Sequence, residues 1–201
     1  MRMTTPTNGS LRLFIAVDLS PQARAVLPDM QARLQHRRLP VRWVDPNGAH
    51  VTLKYLGVVE QGQVDLLAAH LAAIAAQHQP FTLRTGMLGA FPDLQRARVV
   101  WLAVDGDRAA LGHLRDDVEH TIAPLGFPTE DRPFAPHLTL GRTHKDVTAQ
   151  DRAVVGRAIR EQAAPDAVAW AVDEIVLFRS DSGPAGTRYT PLVQAALKAK
   201  A

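Results

Sequence analysis

Cysteine is absent from the 201-residue sequence, which excludes disulfides, thiolate metal sites and a cysteine nucleophile. The absence fits a reducing compartment, and we predict a cytoplasmic location. No apolar run approaches the roughly 20 residues of a membrane-spanning helix, and the start, MRMTTPTNGS, lacks the apolar core of a signal peptide. We therefore expect no membrane partner, and we predict a flexible tail over residues 1–10 followed by a single domain over 11–201.

Several motifs of cofactor and metal sites are also missing. The sequence contains no G-x-x-x-x-G-K-[ST] loop for a nucleoside triphosphate, no dinucleotide-binding glycine pattern and no G-x-S-x-G nucleophile turn. It contains no H-x-x-x-H helix motif and no H-x-x-E-H motif that would indicate a metal site. We therefore expect no metal and no cofactor. The sequence indicates no oligomeric state.

The apolar pattern predicts both strands and helices. The segment LRLFIAVDLS reads as a buried strand, and Ser20 followed by Pro21 marks the start of a helix that runs to about Arg37. Helical spacing recurs in VDLLAAHLAAIAAQH, RAALGHLRDDVEHTI and DRAVVGRAIREQ, with predicted strands between these segments. Because the order lacks a regular β-α-β rhythm, we predict an α+β fold with a mainly antiparallel sheet.

Two predicted strands begin with the same pattern, HVTLKYLG and HLTLGR. Side chains alternate between the faces of a strand, so His50, Thr52 and Lys54 are expected on one face of the first strand. The same alternation places His137 and Thr139 together on the second. A lone histidine on a strand is more often structural than functional, but the repeat predicts two similar half-sites that face one cleft.

Two facing imidazoles can supply one general base and one general acid, because histidine titrates near pH 6.5 and each such group contributes about 10² to 10⁴ in rate. This pair suits displacement at phosphorus, with one histidine activating water and the other protonating the departing oxygen. Thr52 and Thr139 could donate hydrogen bonds to the phosphate, and Arg142 could add positive charge. The face of the strand on which the Arg142 side chain projects stays open, because the regular alternation ends at Gly141, the residue before it.

The two H-x-T-L segments resemble the two-histidine phosphoesterase superfamily. More narrowly, LRLFIAVDLS, HVTLKYLG, RVVWLAV and FAPHLTLGR, in this order, resemble the bacterial and archaeal RNA 2′,3′-cyclic phosphodiesterases, also called 2′-5′ RNA ligases. The resemblance covers about residues 11–189. It implies two pseudo-symmetric lobes of mainly antiparallel sheet with outer helices and a cleft between them.

The resemblance also implies an activity, namely metal-independent opening of an RNA 2′,3′-cyclic phosphate end to a 2′-phosphate, with 2′-5′ ligation as the reverse kind of transfer. It implies that His50 is the general acid for the 3′-oxygen, that His137 is the general base for water, and that Thr52, Thr139 and Arg142 bind the phosphate. RNA with a cyclic phosphate end is the expected partner. The alternatives are a non-catalytic protein that binds RNA ends and a phosphoesterase for a small cyclic nucleotide, an ADP-ribose cyclic phosphate or a 2′-5′ oligonucleotide.

Other side chains are candidate RNA contacts. Lys54 could reach a phosphate from the histidine face, and Phe134 could stack on a base, which contributes about 1 to 3 kcal/mol in nucleic-acid sites. Tyr55 is expected to pack in the core, because regular alternation turns it away from His50. A basic segment before the first motif supplies the remaining candidates, Arg37, Arg38 and Arg42. If these arginines contact RNA phosphates, RNA binding should weaken as the salt concentration rises. The alternative is that they are solvent-exposed charges at the end of a helix.

Overall fold

The structure, a computed structural model, describes residues 9–183 and 186–198. Most of the predicted tail over residues 1–10 lies outside these ranges, but Ser10 is buried and already begins the first strand. In chain order the main elements are β1 (Ser10–Val17), α1 (Pro21–Gln35), β2 (Val41–Trp43), β3 (Val51–Glu60), α2 (Val64–Ala75), β4 (Phe81–Phe91), β5 (Val99–Gly106), α3 (Arg108–Ile122), β6 (His137–Thr143), α4 (Ala149–Glu161), β7 (Ala169–Val172), β8 (Glu174–Gly183) and β9 (Gly186–Ala196).

The strands form two antiparallel sheets. The first sheet has the order β3-β1-β8-β9, and the second has the order β2-β6-β5-β4-β7. One histidine motif lies in each sheet, because His50 directly precedes β3 and His137 is the first residue of β6. The α+β fold with mainly antiparallel sheet is therefore confirmed. No helix within the described ranges is long and apolar enough to cross a membrane.

One predicted strand is divided between the two sheets. The segment AWAVDEIVLFRS reads as continuous in the sequence, but its first part, β7, pairs with β4 in the second sheet. Its second part, β8, pairs with β1 in the first sheet. Only Asp173 separates the two parts. The chain thus crosses from one lobe to the other at this residue.

Helix α1 packs on the main core and begins where the sequence predicts. The Ser20 side chain accepts a hydrogen bond from the Ala23 N–H, which satisfies one of the free donors of the first turn. Along the helix, Leu27, Met30 and Leu34 are fully buried. Each such side chain stabilises the fold by about 1.5 to 3 kcal/mol on leaving water. The helix is therefore anchored along its whole length.

Strand β1 is buried on both faces. Its residues Leu13, Ile15 and Val17 belong to the main core, whereas Phe14 and Ala16 face a second, smaller cluster. This second cluster, named here the cleft cluster, consists of Phe14, Ala16, Val176 and Phe178, with Tyr189 packed against it. The cleft cluster matters for the site, because it forms the apolar floor beneath His50.

Candidate active site

Both motif histidines are oriented in the same way. His50 Nδ1 lies 2.8 Å from the Gly48 carbonyl oxygen, and His137 Nδ1 lies 2.7 Å from the Ala135 carbonyl oxygen. A carbonyl can only accept, so each Nδ1 carries the proton and donates it. In the neutral ring, Nε2 is then the free basic nitrogen. The two half-sites therefore present equivalent nitrogens for proton transfer.

Aromatic side chains surround both imidazoles. The ring centroid of His50 lies 4.4 Å from that of Phe14 and 5.0 Å from that of Tyr189. The ring centroid of His137 lies 4.8 Å from that of Phe91 and 6.3 Å from that of Trp101. Neither the two histidine motifs nor their spacing points to these four aromatic residues, which come from four other strands. These aromatic side chains pack against the two imidazole rings and give both histidines apolar surroundings.

Glycine is required in the turn that orients His50. The turn Pro46–Gly48 directly precedes the motif, and its last carbonyl accepts the His50 hydrogen bond. A Cβ on Gly48 would lie 2.8 Å from the ring of Tyr189, closer than van der Waals contact allows. The missing side chain lets the turn pack directly on that ring.

Burial in these surroundings lowers the pKa of both histidines. Desolvation lowers the pKa of His50 to about 4, against the opposing effects of the Gly48 hydrogen bond and the Asp18 carboxylate. The charges of Arg24 and His137 lower it further. Desolvation also lowers the pKa of His137, and the charge of Arg142 acts in the same direction. Both imidazoles are thus mainly neutral at pH 7 before substrate binds.

A β-bulge interrupts the alternation in the first motif. Two neighbouring residues of β1 pair with Thr52 and Lys54, which leaves Leu53 as an extra residue in β3. The bulge turns the following side chains over, so that Lys54 points inward and Tyr55 is 53% exposed. The predicted core position of Tyr55 is therefore wrong.

The prediction that Lys54 contacts RNA is also wrong. Its side chain is only 3% exposed and forms an ion pair with Glu119 of α3. Its Nζ also donates a hydrogen bond of 2.9 Å to the Pro128 carbonyl, in the segment that leads to the second motif. Lys54 is thus a buried structural cation, and it ties the two motifs' surroundings together.

A matching bulge follows the threonine of the second motif. Neighbouring residues of β5 pair with Thr139 and Gly141, so Leu140 is the extra residue of β6. The bulge resolves the direction of Arg142, whose exposed side chain lies on the same side as His137 and lowers the pKa of that histidine. The charge of Arg142 also lowers the pKa of Tyr189 in the other sheet, although burial raises it overall. Arg142 therefore acts on groups of both lobes.

The threonines of the two motifs occupy equivalent places. Thr52 is exposed and Thr139 is partly buried, and both precede the bulged leucine of their strand. Within residues 9–183 and 186–198, neither hydroxyl forms a hydrogen bond. Both hydroxyls thus have hydrogen-bonding capacity left over, and their binding of a phosphate stays a prediction.

Other candidate RNA contacts differ in their availability. Phe134 packs against the core, and the Arg115 guanidinium lies over its ring at 5.6 Å, so that ring face is closed to a base. Arg37 forms an ion pair of 2.8 Å with Glu161. Its role is to join the end of α1 to α4.

The exposed arginines Arg38 and Arg42 differ in their place relative to the histidine motifs. Arg38 lies beyond the end of α1 with a positive φ of 50°. Arg42 lies on β2, directly opposite Arg142 of β6. Residues opposite one another on antiparallel strands project to the same face of the sheet. Arg42 is therefore the member of the basic segment that the fold places beside the second motif.

In the part of the chain that the structure describes, no three side chains of His, Cys, Asp or Glu come together in a way that could hold a metal ion. The arrangement that the structure does build is a pair of imidazoles with hydroxyls and an arginine. Proton transfer and binding of an anion are the chemistry of these groups.

Comparison with known proteins identifies the family. A model of the 2′-5′ RNA ligase superfamily matches residues 18–184. The chain is 30% identical over 182 residues to an RNA 2′,3′-cyclic phosphodiesterase of Methanothermobacter thermautotrophicus, covering 90% of this chain and 96% of the relative. It is 36% identical over 169 residues to the enzyme of the same name from Geobacillus stearothermophilus, covering 84% of this chain and about half (52%) of the relative.

Solved structures agree with this result. Escherichia coli LigT complexed with 3′-AMP matches with a TM-score of 0.72 and 29% identity, over 94% of this chain and 98% of LigT. A protein of Thermus thermophilus, TT0787, matches with a TM-score of 0.75 and 26% identity, over 95% of this chain and all of that protein. The matches extend over both sheets and both histidine motifs, and the chain belongs to the 2′-5′ RNA ligase superfamily.

Proposed function

We propose that this chain opens the 2′,3′-cyclic phosphate at an RNA 3′ end to a 2′-phosphate, without a metal, through His50 and His137. The observation that carries the proposal is the pair of equivalently oriented imidazoles, one from each sheet, whose charges interact. The substrate class is supported by relatives that are named RNA 2′,3′-cyclic phosphodiesterase.

The reaction is a displacement at phosphorus with proton transfer at both ends. His137 Nε2 takes a proton from water as the water oxygen bonds to phosphorus. The bond from phosphorus to the 3′-oxygen breaks, and His50, which must enter this step as the imidazolium, gives its Nε2 proton to that oxygen. The hydroxyls of Thr52 and Thr139 donate hydrogen bonds to the non-bridging oxygens, and Arg142 stabilises the negative charge that develops there.

The same geometry extends to ligation. When the 5′-hydroxyl of a second RNA replaces water, the same bond to the 3′-oxygen breaks and a 2′-5′ phosphodiester forms. The proton transfers are unchanged, so hydrolysis and ligation compete for one cleft.

The function is tested with a 5′-labelled oligoribonucleotide that ends in a 2′,3′-cyclic phosphate. We expect its conversion to a species from which a phosphatase removes the terminal phosphate, because a phosphomonoester is a phosphatase substrate and the cyclic diester is not. Binding of the oligonucleotide without conversion would instead support a non-catalytic RNA-end-binding protein. Conversion of only a mononucleoside cyclic phosphate would support a small-molecule phosphoesterase.

The lowered pKa values predict an acidic optimum for the free enzyme. Catalysis requires one neutral and one protonated imidazole, and the pKa of His50 is about 4 while that of His137 lies below 6.5. We therefore expect kcat/KM to fall as the pH rises above 6.5 and to fall again below about pH 4. A bound phosphate favours the charged imidazolium, so the kcat profile should lie at higher pH than the kcat/KM profile. A kcat/KM that is constant from pH 6 to 8 would contradict this assignment.

Arg42 provides a test of RNA against mononucleotide substrates. It has no ion pair among the described residues and lies beside Arg142, where the RNA chain would leave the cleft. We expect Arg42→Gln to lower kcat/KM about 3- to 10-fold for an oligonucleotide. The slope of log kcat/KM against the logarithm of the salt concentration should become shallower by about 0.7, the value for one lost phosphate contact. The mononucleoside cyclic phosphate should be unaffected. Arg33→Gln, which removes an exposed ion pair with Asp29, is the matched control.

A further inference from the structure

Helix α1 carries two polar side chains that reach the segments next to the two histidines. Arg24 and Gln31 are seven residues apart, about two helical turns, and therefore lie on the same face of the helix. We infer that this face holds the two half-sites in register, with Arg24 and Gln31 acting as positioning residues that do not touch substrate. The inference rests on the proposed function, because the register matters only if both histidines act on one phosphate.

Arg24 fixes the turn that orients His50. One of its terminal guanidinium nitrogens shares its two N–H groups among three carbonyls of the segment around that turn, at 3.2 Å to Pro46, 2.7 Å to Asn47 and 2.9 Å to Ala49. The other terminal nitrogen forms an ion pair with Asp18. The carbonyl between these acceptors, that of Gly48, is left to accept the His50 Nδ1–H. Arg24 therefore sets the position of the acceptor that orients the imidazole.

Gln31 connects the segment before His50 to the bulge after His137. The side chain is 5% exposed, and its Nε2 donates to the Val44 carbonyl at 2.8 Å and to the Leu140 carbonyl at 2.9 Å. Leu140 is the extra residue of the β6 bulge, and Val44 immediately precedes the Asp45 that caps the Pro46–Gly48 turn. The Val44 N–H also donates to the Leu140 carbonyl at 3.0 Å. One buried amide thus joins the two motifs through both of its N–H groups.

The bulge that Gln31 holds also determines where Arg142 points. Without the extra residue, regular alternation would place Arg142 on the face opposite His137. Loss of the Gln31 hydrogen bonds should therefore loosen the bulge and weaken the hold on Arg142. A partly buried acceptor, the Val44 carbonyl, would also lose its side-chain donor.

Gln31→Met tests the inference, because methionine has a similar length and shape but no N–H donor. We expect kcat to fall about 10- to 100-fold with KM changed less than threefold, at a temperature well below the unfolding midpoint of the variant. The matched control is Gln35→Met, an exposed position one turn later on the same helix. An unchanged kcat in Gln31→Met would overturn the role of Gln31.

Nitrogen NMR of the imidazoles gives a readout that is independent of activity. The charged and titratable groups that act on His50 are Asp18, Arg24 and His137. In Arg24→Gln the pKa of His50 should rise, because one of the charges that oppose Asp18 is lost, and the ring should no longer be held as the Nδ1–H tautomer. Arg24→Lys should keep the low pKa, since it keeps the charge, while losing most of the hydrogen bonds to the turn.

The same spectra test the second half-site. In Gln31→Met the pKa of His137 should rise, because Arg142 is no longer held beside it, whereas Gln35→Met should leave it unchanged. Wild-type tautomer and pKa values in both Arg24→Gln and Gln31→Met would overturn the inference. Wild-type protein that does not convert any RNA 2′,3′-cyclic phosphate would overturn the proposed function instead, and the spectra would still decide whether α1 positions the histidines.

Discussion

His50→Ala and His137→Ala are each expected to lower kcat/KM on RNA 2′,3′-cyclic phosphate by about 10² to 10⁴, the range of a general acid or base. The double variant should be little worse than either single variant, because the two groups act in one step. Single-turnover kinetics at saturating enzyme measure the chemical step directly. His113→Ala, at an exposed position on α3, is the matched control. A single variant with activity within threefold of the wild type would contradict the acid–base pair.

A substrate with sulfur in place of the 3′-oxygen separates the two roles. A thiolate leaves without a proton, so the general acid becomes dispensable while the general base does not. We expect His50→Ala to regain most of its activity on this substrate and His137→Ala to stay impaired. The opposite result would exchange the two roles.

Lys54→Met is expected to destabilise the protein by up to about 3 to 5 kcal/mol, because it removes the closer of the two cations that pair with the buried Glu119 carboxylate. Glu119 is 3% exposed, and its remaining contacts are the Glu130 N–H at 3.3 Å and the Arg115 guanidinium at 3.6 Å. Urea denaturation of the variant and the wild type measures this difference.

A double variant distinguishes a buried ion pair from an RNA contact. Lys54→Met with Glu119→Gln removes both charges but keeps an acceptor for the Glu130 N–H, and much of the stability should return. Under folding conditions this double variant should bind RNA as the wild type does. A Lys54→Met protein of unchanged stability that has lost RNA affinity would contradict the structural role of Lys54.

The two motifs show how far strand alternation predicts a site. It places His50 with Thr52 and His137 with Thr139, and it fails at the next polar residue of each strand. The cause is the extra leucine after each threonine. The residue after this leucine, Lys54 or Gly141, is buried, and the next one, Tyr55 or Arg142, is exposed. A bulge depends on the partner strand, and a pattern of single residues carries no information about that partner.

Other parts of the site depend on contacts between distant segments. The predicted fold class needs only the order of elements, and it is confirmed. The aromatic rings around His50 come from β1, β8 and β9, at opposite ends of the chain, so no local pattern brings them together. The amide of Gln31 is 109 residues from its acceptor in β6. In the sequence it is an ordinary glutamine of an amphipathic helix.

The central claim is metal-independent opening of the cyclic phosphate with one regiochemistry. It is tested most directly by phosphorus NMR of an RNA 2′,3′-cyclic phosphate incubated with the purified protein and a chelator. The account predicts a single new resonance, that of the 2′-phosphate, with a rate that the chelator does not change. A 3′-phosphate product, or turnover that the chelator abolishes and added metal restores, would contradict it.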